Sequence, residues 1–303
     1  MIKNIYIAKY HGFCMGVKRA IDIAEKTAHK EEGRVTILKE IVHNEAIVEK
    51  FKREGVGQAK SLDEISEGTL IISAHGISPK ITEAATEKGL KIVDATCPLV
   101  EKIYKIIKKV VAKGYYVIHY GDHNHDETHG ILGYAPDRIT VAKNKEELLA
   151  LPEWKDRKLG LTIQTTAHTD EIPEIERLAK EKWPHIEIFN TICMATTQRQ
   201  SSIVEIAPKV DMILVVGSTT SANSKRLANI ANIKCGKGIL IGSADDIDEN
   251  WFTNDEHIEN VGVSAGASTP DFLVEDVIRK LLAISEYKAE VIQPEDKKNK
   301  III

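Results

Sequence analysis

Three cysteines occur in the same kind of local sequence and could together hold a soft metal centre. Each follows an apolar, β-branched run and a short turn, as in IYIAKYHGFC, LKIVDATC and IEIFNTIC. Each is followed at once by a segment with helical spacing of apolar residues. Cys14 and Cys97 are 97 − 14 = 83 residues apart, and Cys97 and Cys193 are 193 − 97 = 96 residues apart. We therefore expect three strand ends, each with a cysteine that opens a helix.

Cysteines at helix N-termini are suited to metal binding because the helix dipole and nearby N–H groups stabilise thiolates. Three such ligands suit zinc with an open fourth position, or an iron–sulfur cluster in which one iron is free for water or substrate. The residues alone do not choose between these metals. Cys235, in ANIKCGKGILIG, leads into a strand and is interpreted as structural.

A second set of polar residues predicts a site for phosphate or diphosphate oxygens. Imidazoles, hydroxyls, amides and helix N-termini are typical donors to such anions. The sequence has no Walker A loop and no GxGxxG fingerprint, so a nucleotide is not the expected ligand. Each residue alone is better explained as a helix cap or an ordinary surface side chain, but the set favours a site. Its members are His43, His75, His125, Ser221, Asn223 and Ser268.

The stretch HNHDETH contains the candidate proton donor. Glu127 follows His125 by two residues, and a carboxyl group in a closed site can have a raised pKa. Thr165 and Thr166, in TIQTTAHT, could offer a hydroxyl to a substrate or to a proton relay, or could simply cap a helix. A second metal site is the competing interpretation of this stretch, although the HExxH spacing is absent. Its ligands would come from His123, His125, Asp126, Glu127 and His129.

The elements that must position these residues follow from the alternation of strand and helix patterns. Apolar runs without alternation predict parallel strands covered on both faces, and hence an α/β fold. Each third of the chain has further strands that end in polar residues, among them VTILKE, YVIHYGDH and MILVVGSTTS. Because ligands of such sheets bind outside the carboxyl ends of the strands, three sheets facing one axis would bring all these turns together.

The composition is that of an ordinary globular protein. The 303 residues suit two or three α/β domains, and the net charge of −4 gives no reason to expect nucleic acid or a membrane surface as a partner. The N-terminus does not resemble a signal peptide, and no apolar run approaches the ~20 residues of a membrane span. Widely spaced cysteines without an export signal predict a reducing, cytoplasmic compartment.

In combination and order, these motifs resemble the 4-hydroxy-3-methylbut-2-enyl diphosphate reductases, the IspH/LytB family. The resemblance runs from about residue 4 to about residue 285. It is carried by GFCMGVKRAI, IVHNEAIV, SAHGIS, DATCPLV, HNHDETHG, QTT, NTICMATTQRQ, GSTTSANSKRL and GVSAGASTPD. It implies an iron–sulfur oxidoreductase that performs the last step of the methylerythritol phosphate pathway of isoprene biosynthesis.

The resemblance also implies an architecture. We expect three pseudo-threefold-related α/β domains with parallel sheets, in a trefoil around a central 4Fe-4S cluster that has one open iron. The predicted domains are residues 1–96 with Cys14, 97–191 with Cys97, and 192–285 with Cys193, followed by a C-terminal tail at 286–303. The three cysteines would ligate the cluster.

The same resemblance assigns roles to the polar residues. The substrate hydroxyl would leave as water, and a proton delivered to either of two carbons would give isopentenyl or dimethylallyl diphosphate. The catalytic residues would be Glu127, His125 and Thr165, with Thr166 in support. The substrate-binding residues would be His43, His75, His125, Thr165, Ser221, Asn223 and Ser268. Reduced ferredoxin or flavodoxin would donate the electrons.

Two residues depart from the family pattern, and two other functions stay open. Asp126 stands where the family often has proline, and Ala222 where many members have serine. The first alternative function is a zinc hydrolase in which cysteines hold the metal and Glu127 is the base. The second is a redox or diphosphate sensor without catalytic activity on the same fold.

Overall fold

The computed structural model describes residues 1–252 and 257–294. The apolar C-terminus, III, whose packing the sequence leaves open, lies outside the described residues. The chain forms two compact units. The first contains Met1–Cys14, His43–Glu45 and the chain from Met194 onwards, and the second contains Met15–Val42 and Ala46–Cys193.

The described residues contain thirteen strands, numbered here in chain order. They are β1 (Asn4–Ile7), β2 (Val35–Leu38), β3 (Gly57–Ala59), β4 (Thr69–Ile72), β5 (Lys91–Asp94), β6 (Tyr116–Tyr120), β7 (Ile139–Ala142), β8 (Leu159–Ile163), β9 (Glu187–Phe189), β10 (Met212–Val216), β11 (Gly238–Ile241), β12 (Asn260–Ala265) and β13 (Glu290–Ile292).

Ten α-helices alternate with these strands in the described residues. They are α1 (Met15–Lys30), α2 (Glu45–Arg53), α3 (Pro79–Glu87), α4 (Pro98–Ala112), α5 (Asp126–Leu132), α6 (Lys145–Ala150), α7 (Ile172–Lys182), α8 (Met194–Ile206), α9 (Ala222–Cys235) and α10 (Asp271–Ile284).

The strands form three sheets that share one order over four strands, and sheet A has a fifth strand. Sheet A runs β11-β10-β12-β1-β13, sheet B runs β3-β2-β4-β5, and sheet C runs β7-β6-β8-β9. Every pairing between neighbouring strands is parallel. Strands β1, β5 and β9 therefore occupy equivalent positions, and each precedes one of the three cysteines. The predicted α/β fold with three parallel sheets is confirmed.

Burial explains why the central strands are continuously apolar. All residues of β4, β8 and β10 are buried, as expected for strands covered on both faces. The helix after each of two cysteines packs on the next sheet along the chain. Apolar residues of α4, such as Ile103 and Ile107, contact Val117 of sheet C. Ile203 of α8 packs with Ile213 of sheet A in the same way.

The strand pairing departs from the predicted division of the chain at two places. Strand β1 pairs with β12 and β13, so the strand before Cys14 belongs to the sheet of the C-terminal residues and not to that of β2–β5. Strand β13 lies within the predicted tail at 286–303 and extends sheet A. The boundaries at 96, 191 and 285 themselves stay a prediction. Among the described residues, no helix is both long and apolar enough to cross a membrane.

Candidate active site

The three cysteines share one backbone arrangement, which each sheet repeats. In every case the cysteine amide donates a hydrogen bond to a carbonyl in the turn that follows the neighbouring strand of the same sheet. The bonds join Cys14 to Ala267 in sheet A at 3.0 Å, Cys97 to Ala74 in sheet B at 3.0 Å, and Cys193 to Thr165 in sheet C at 3.2 Å. The carboxyl ends of two adjacent strands are thus joined at each cysteine.

Each of these cysteines directly precedes the first residue of a helix, as the sequence predicts. Helices α1, α4 and α8 begin at Met15, Pro98 and Met194. The three thiols are half-buried, and no disulfide is formed by any of the four cysteines, all of which lie in the described part of the chain. Thiol donors at helix N-termini fit a soft metal centre such as an iron–sulfur cluster or zinc.

Cys235 has a different environment. It is the last residue of α9, and its thiol donates to the carbonyl of Val210 at 3.3 Å. Burial raises the pKa of this thiol, which disfavours the thiolate that a metal needs. These features agree with the structural role predicted for Cys235.

Glu127 carries a buried carboxyl group beside sheet C. It lies in the first turn of α5 with 1% of its surface exposed. The Thr165 amide donates to one carboxyl oxygen at 2.9 Å, and the Thr165 hydroxyl donates to the other. Burial raises the pKa of Glu127, and the two Thr165 hydrogen bonds only partly offset this effect. A carboxyl group in this environment is suited to carry a proton and release it.

His125 forms the N-cap of the helix that carries Glu127. Its Nδ1 accepts a hydrogen bond from the Glu127 amide at 3.2 Å, so in the neutral ring Nε2 carries the proton. The His75 ring meets the His125 ring edge-on, with centroids 5.9 Å apart. The structure therefore brings together two of the predicted imidazoles in sheets B and C.

The other residues of HNHDETH point in several directions. Asp126 forms an ion pair with Lys39, and His123 pairs with Glu147 at 2.7 Å on an exposed surface. No three of the five candidate ligands bring their donor atoms together within the described chain. These five residues by themselves therefore do not form the site of a second metal ion.

Gln164 fixes the turn after β8. Its carbonyl oxygen accepts from the Asp122 amide at 2.7 Å, and its amide nitrogen donates to the Thr166 hydroxyl at 2.8 Å. This link joins the turns that follow β6 and β8, which carry Glu127 and Thr165. Thr166 therefore supports the turn.

The predicted polar residues of sheet A lie at the ends of its strands. The Ser268 hydroxyl donates to the His43 carbonyl at 2.8 Å. Ser221 caps α9 by accepting from the Ser224 amide at 3.3 Å. Asn223 is 5% exposed, and its Nδ2 has no hydrogen-bond partner among the described residues. A buried amide donor at a helix N-terminus is suited to an anionic oxygen.

Two residues outside the predicted set hold these turns in place. Arg199 is 4% exposed and donates to the Gly12 carbonyl at 2.6 Å, two residues before Cys14. Tyr104 donates to the His75 carbonyl at 3.0 Å. Each lies on a helix that begins just after a cysteine, but the helical pattern contains no signal for these distant contacts.

With this geometry established, comparison with known proteins identifies the family. The model of the LytB protein family matches residues 5–282. The chain belongs to the LytB family. A LytB relative from Geobacter metallireducens, named 4-hydroxy-3-methylbut-2-enyl diphosphate reductase, is 39% identical over 94% of this chain and 99% of its own. A Wolbachia pipientis protein of the same name is 40% identical over 91% of this chain and 90% of its own.

Solved structures agree with this family assignment. The structure of the E-1-hydroxy-2-methyl-but-2-enyl-4-diphosphate reductase from Plasmodium falciparum matches with a TM-score of 0.92 and 31% identity. That match covers 100% of this chain and 96% of the other. The described residues of this chain therefore share the fold of that reductase.

Proposed function

We propose that this chain reduces (E)-4-hydroxy-3-methylbut-2-enyl diphosphate to isopentenyl diphosphate and dimethylallyl diphosphate, the last step of the methylerythritol phosphate pathway. The observation that carries the proposal is the cysteine arrangement repeated in three sheets, together with the buried carboxyl group of Glu127. The names of the LytB relatives support the choice of substrate.

Cys14, Cys97 and Cys193 would hold a 4Fe-4S cluster with one iron that no protein residue ligates. Their thiols and helix N-termini fit such a group, and the bond of the Cys235 thiol to the Val210 carbonyl supports leaving Cys235 out of the ligand set. When bound, the cluster supplies the two electrons that the reaction consumes. The side chains would bind the diphosphate and deliver the proton.

Glu127 is the proton source in this proposal. The substrate takes up two electrons and two protons, its C–O bond breaks, and a C–H bond forms as water leaves. Burial keeps the Glu127 carboxyl protonated to higher pH than usual, and its bond to Thr165 connects it to the turn beside Cys193. In the protonated state Glu127 would donate to the Thr165 hydroxyl oxygen while the hydroxyl passes its own proton to the substrate, and His125 supports this step as the cap of α5.

The diphosphate is bound in this proposal by imidazole, amide and hydroxyl donors. His125 would donate through Nε2, and Asn223 through Nδ2. Helix N-termini add partial positive charge at both positions. The remaining donors would be His43, His75, Thr165, Ser221 and Ser268. We further propose reduced ferredoxin or flavodoxin as the electron donor and the cytoplasm as the compartment.

Product analysis under a chemical reductant tests the proposal. The anaerobically purified protein, given the substrate and reductant, should form isopentenyl and dimethylallyl diphosphates and no free phosphate. Release of phosphate without reductant, by a protein that contains zinc and no sulfide, would instead establish the hydrolase. Cluster and ligand binding without any product would establish the sensor.

A further inference from the structure

Tyr104 lies in the second unit, where the turn that carries His75 meets helix α5. It is on α4, seven residues after Cys97, which directly precedes that helix. Only 5% of its surface is exposed. Its hydroxyl donates to the His75 carbonyl at 3.0 Å. This hydrogen bond joins helix α4 to the turn that carries His75.

Two glycines make room for this hydroxyl. A Cβ added at Gly76 would lie 2.6 Å from the Tyr104 hydroxyl oxygen, and one added at Gly130 would lie closer still. Gly76 follows His75 directly, and Gly130 lies in α5, three residues after Glu127. The hydroxyl is therefore in contact with the backbone of both elements at once.

The environment keeps this hydroxyl a donor. Burial raises the pKa of Tyr104, and the nearby charge of Glu127 raises it further. The Tyr134 ring packs against the Tyr104 ring, with centroids 4.5 Å apart. The ring is thus supported along its face, and its hydroxyl oxygen is the atom that lies nearest to the Cβ positions of both glycines.

We propose that Tyr104 is a positioning residue that sets the separation between the His75 turn and helix α5, and so aligns His75 with His125 and Glu127. The edge-on contact of the His75 and His125 rings, at 5.9 Å, is the distance that this spacer fixes. The inference rests on the proposed function for its catalytic consequence, but the spacer itself is a property of the fold.

Removing only the Tyr104 hydroxyl tests its contact with the His75 turn. In Tyr104→Phe the ring and its packing remain, while the His75 carbonyl loses its donor. We expect KM for the diphosphate substrate to rise about three- to tenfold, the effect of one lost neutral hydrogen bond, with kcat changed less than about twofold. Tyr134→Phe is the matched control, because it removes a hydroxyl from the neighbouring ring, and it should leave KM unchanged.

A double variant tests the spacer through its contact with α5. Gly130→Ala places a methyl group against the Tyr104 hydroxyl, so it should displace α5 and lower kcat. In Gly130→Ala/Tyr104→Phe the nearest remaining ring atom is 3.0 Å from the ideal Cβ position, so part of the lost turnover should return. The melting temperature should show the same coupling, with the double variant more stable than the sum of the two single changes predicts.

The possible outcomes separate the spacer from the proposed function. If the cluster-loaded wild type has no reductase activity, the proposed function fails, and the coupling in melting temperature alone then decides whether the spacer exists. If the wild type is active but Tyr104→Phe leaves KM unchanged, Tyr104 is an ordinary core residue. Additive melting temperatures in the double variant would likewise overturn the inference.

Discussion

At the end of sheet A the Cys14 amide is bonded to the Ala267 carbonyl, and at the end of sheet C the Cys193 amide is bonded to the Thr165 carbonyl. The four strands that lead up to each bond have the same order, and sheet A adds β13 beyond β1. Beside Ala267 lies Ser268, whereas Thr165 contacts the buried carboxyl group of Glu127. The same backbone arrangement thus carries hydroxyl and amide side chains at the edge of sheet A and a buried carboxyl group at the edge of sheet C. In the proposed function, the shared backbone places the cysteines alike, while the side chains after neighbouring strands would divide anion binding from proton transfer.

The largest expected effect comes from removing the acid of sheet C. Glu127→Gln keeps the shape of the side chain and should lower kcat by ~10²- to 10⁴-fold, the usual contribution of a general acid. In the wild type, protonated Glu127 is present below its raised pKa and is lost as the pH rises through it, so turnover should fall on the alkaline side. That dependence should vanish in the variant, as initial rates over a pH series would show.

The control for this change is Glu147→Gln. Glu147 is also in the second unit, but it is partly exposed. Hydrogen bonds to its carboxylate from the Lys143 amide and from the His123 side chain hold its pKa at about 2. Its replacement should leave kcat and the pH profile unchanged. Near-normal turnover in Glu127→Gln, with iron content equal to that of wild type, would remove the assigned role.

The next largest effect is expected at the edge of sheet A that carries Ser268 and Asn223. Asn223→Ala removes a buried amide donor, and a hydrogen bond to a charged group contributes ~1.5–3 kcal/mol, so KM should rise ~10- to 100-fold with little change in kcat. Asn232→Ala, on the exposed side of the same helix, is the matched control. A lower kcat at unchanged KM would place Asn223 in the chemical step and blur the distinction between the edges.

A smaller effect is expected for Thr165, which connects the acid to the turn of sheet C. Its hydroxyl lowers the pKa of Glu127, so Thr165→Val should move the alkaline fall in turnover to higher pH. Loss of the proton path should also lower kcat about tenfold, on the scale of one hydrogen bond. Thr165→Ser keeps the hydroxyl and should behave as wild type. A shift to lower pH in the valine variant would contradict the assigned contact.

The smallest expected effect concerns Ala222, the first residue of α9. Ala222→Ser adds the hydroxyl that many family members have, beside Ser221 and Asn223. One added neutral hydrogen bond should lower KM about two- to fivefold and leave kcat unchanged. Steady-state kinetics over a substrate series would measure this change. A higher KM would show that the hydroxyl does not face the diphosphate.

The sequence predicted the three parallel sheets and the places of the cysteines because continuous apolar runs and helical spacing are local signals. It did not place β1 in sheet A, because the choice of partner among parallel strands depends on long-range packing. The three-residue strand β3, GQA, has no apolar pattern at all. Tyr104 resembles any other apolar position of α4, and its importance appears only when the chain brings Gly76 and Gly130 to its hydroxyl.

The sequence predicted residues of the candidate site, but not the contacts that hold them in place. Glu127 and Asn223 occur in motifs whose chemistry is recognisable from residue type. Arg199 donates to the Gly12 carbonyl, and Lys39 forms an ion pair with Asp126. Both partners are distant in the sequence. His119 lies in the apolar strand β6, where burial lowers its pKa to about 3 and keeps it neutral. Such burial is a property of the folded sheet, which no local pattern reports.

The central claim is that three cysteines, and not the fourth, form one metal site, and a metal count on four variants tests it most directly. Wild type and Cys235→Ala, purified without oxygen, should contain about four iron and about four sulfide per chain. Cys14→Ala, Cys97→Ala and Cys193→Ala should each lose most of both. Full iron and sulfide in any of these three, or a loss in Cys235→Ala alone, would contradict the account.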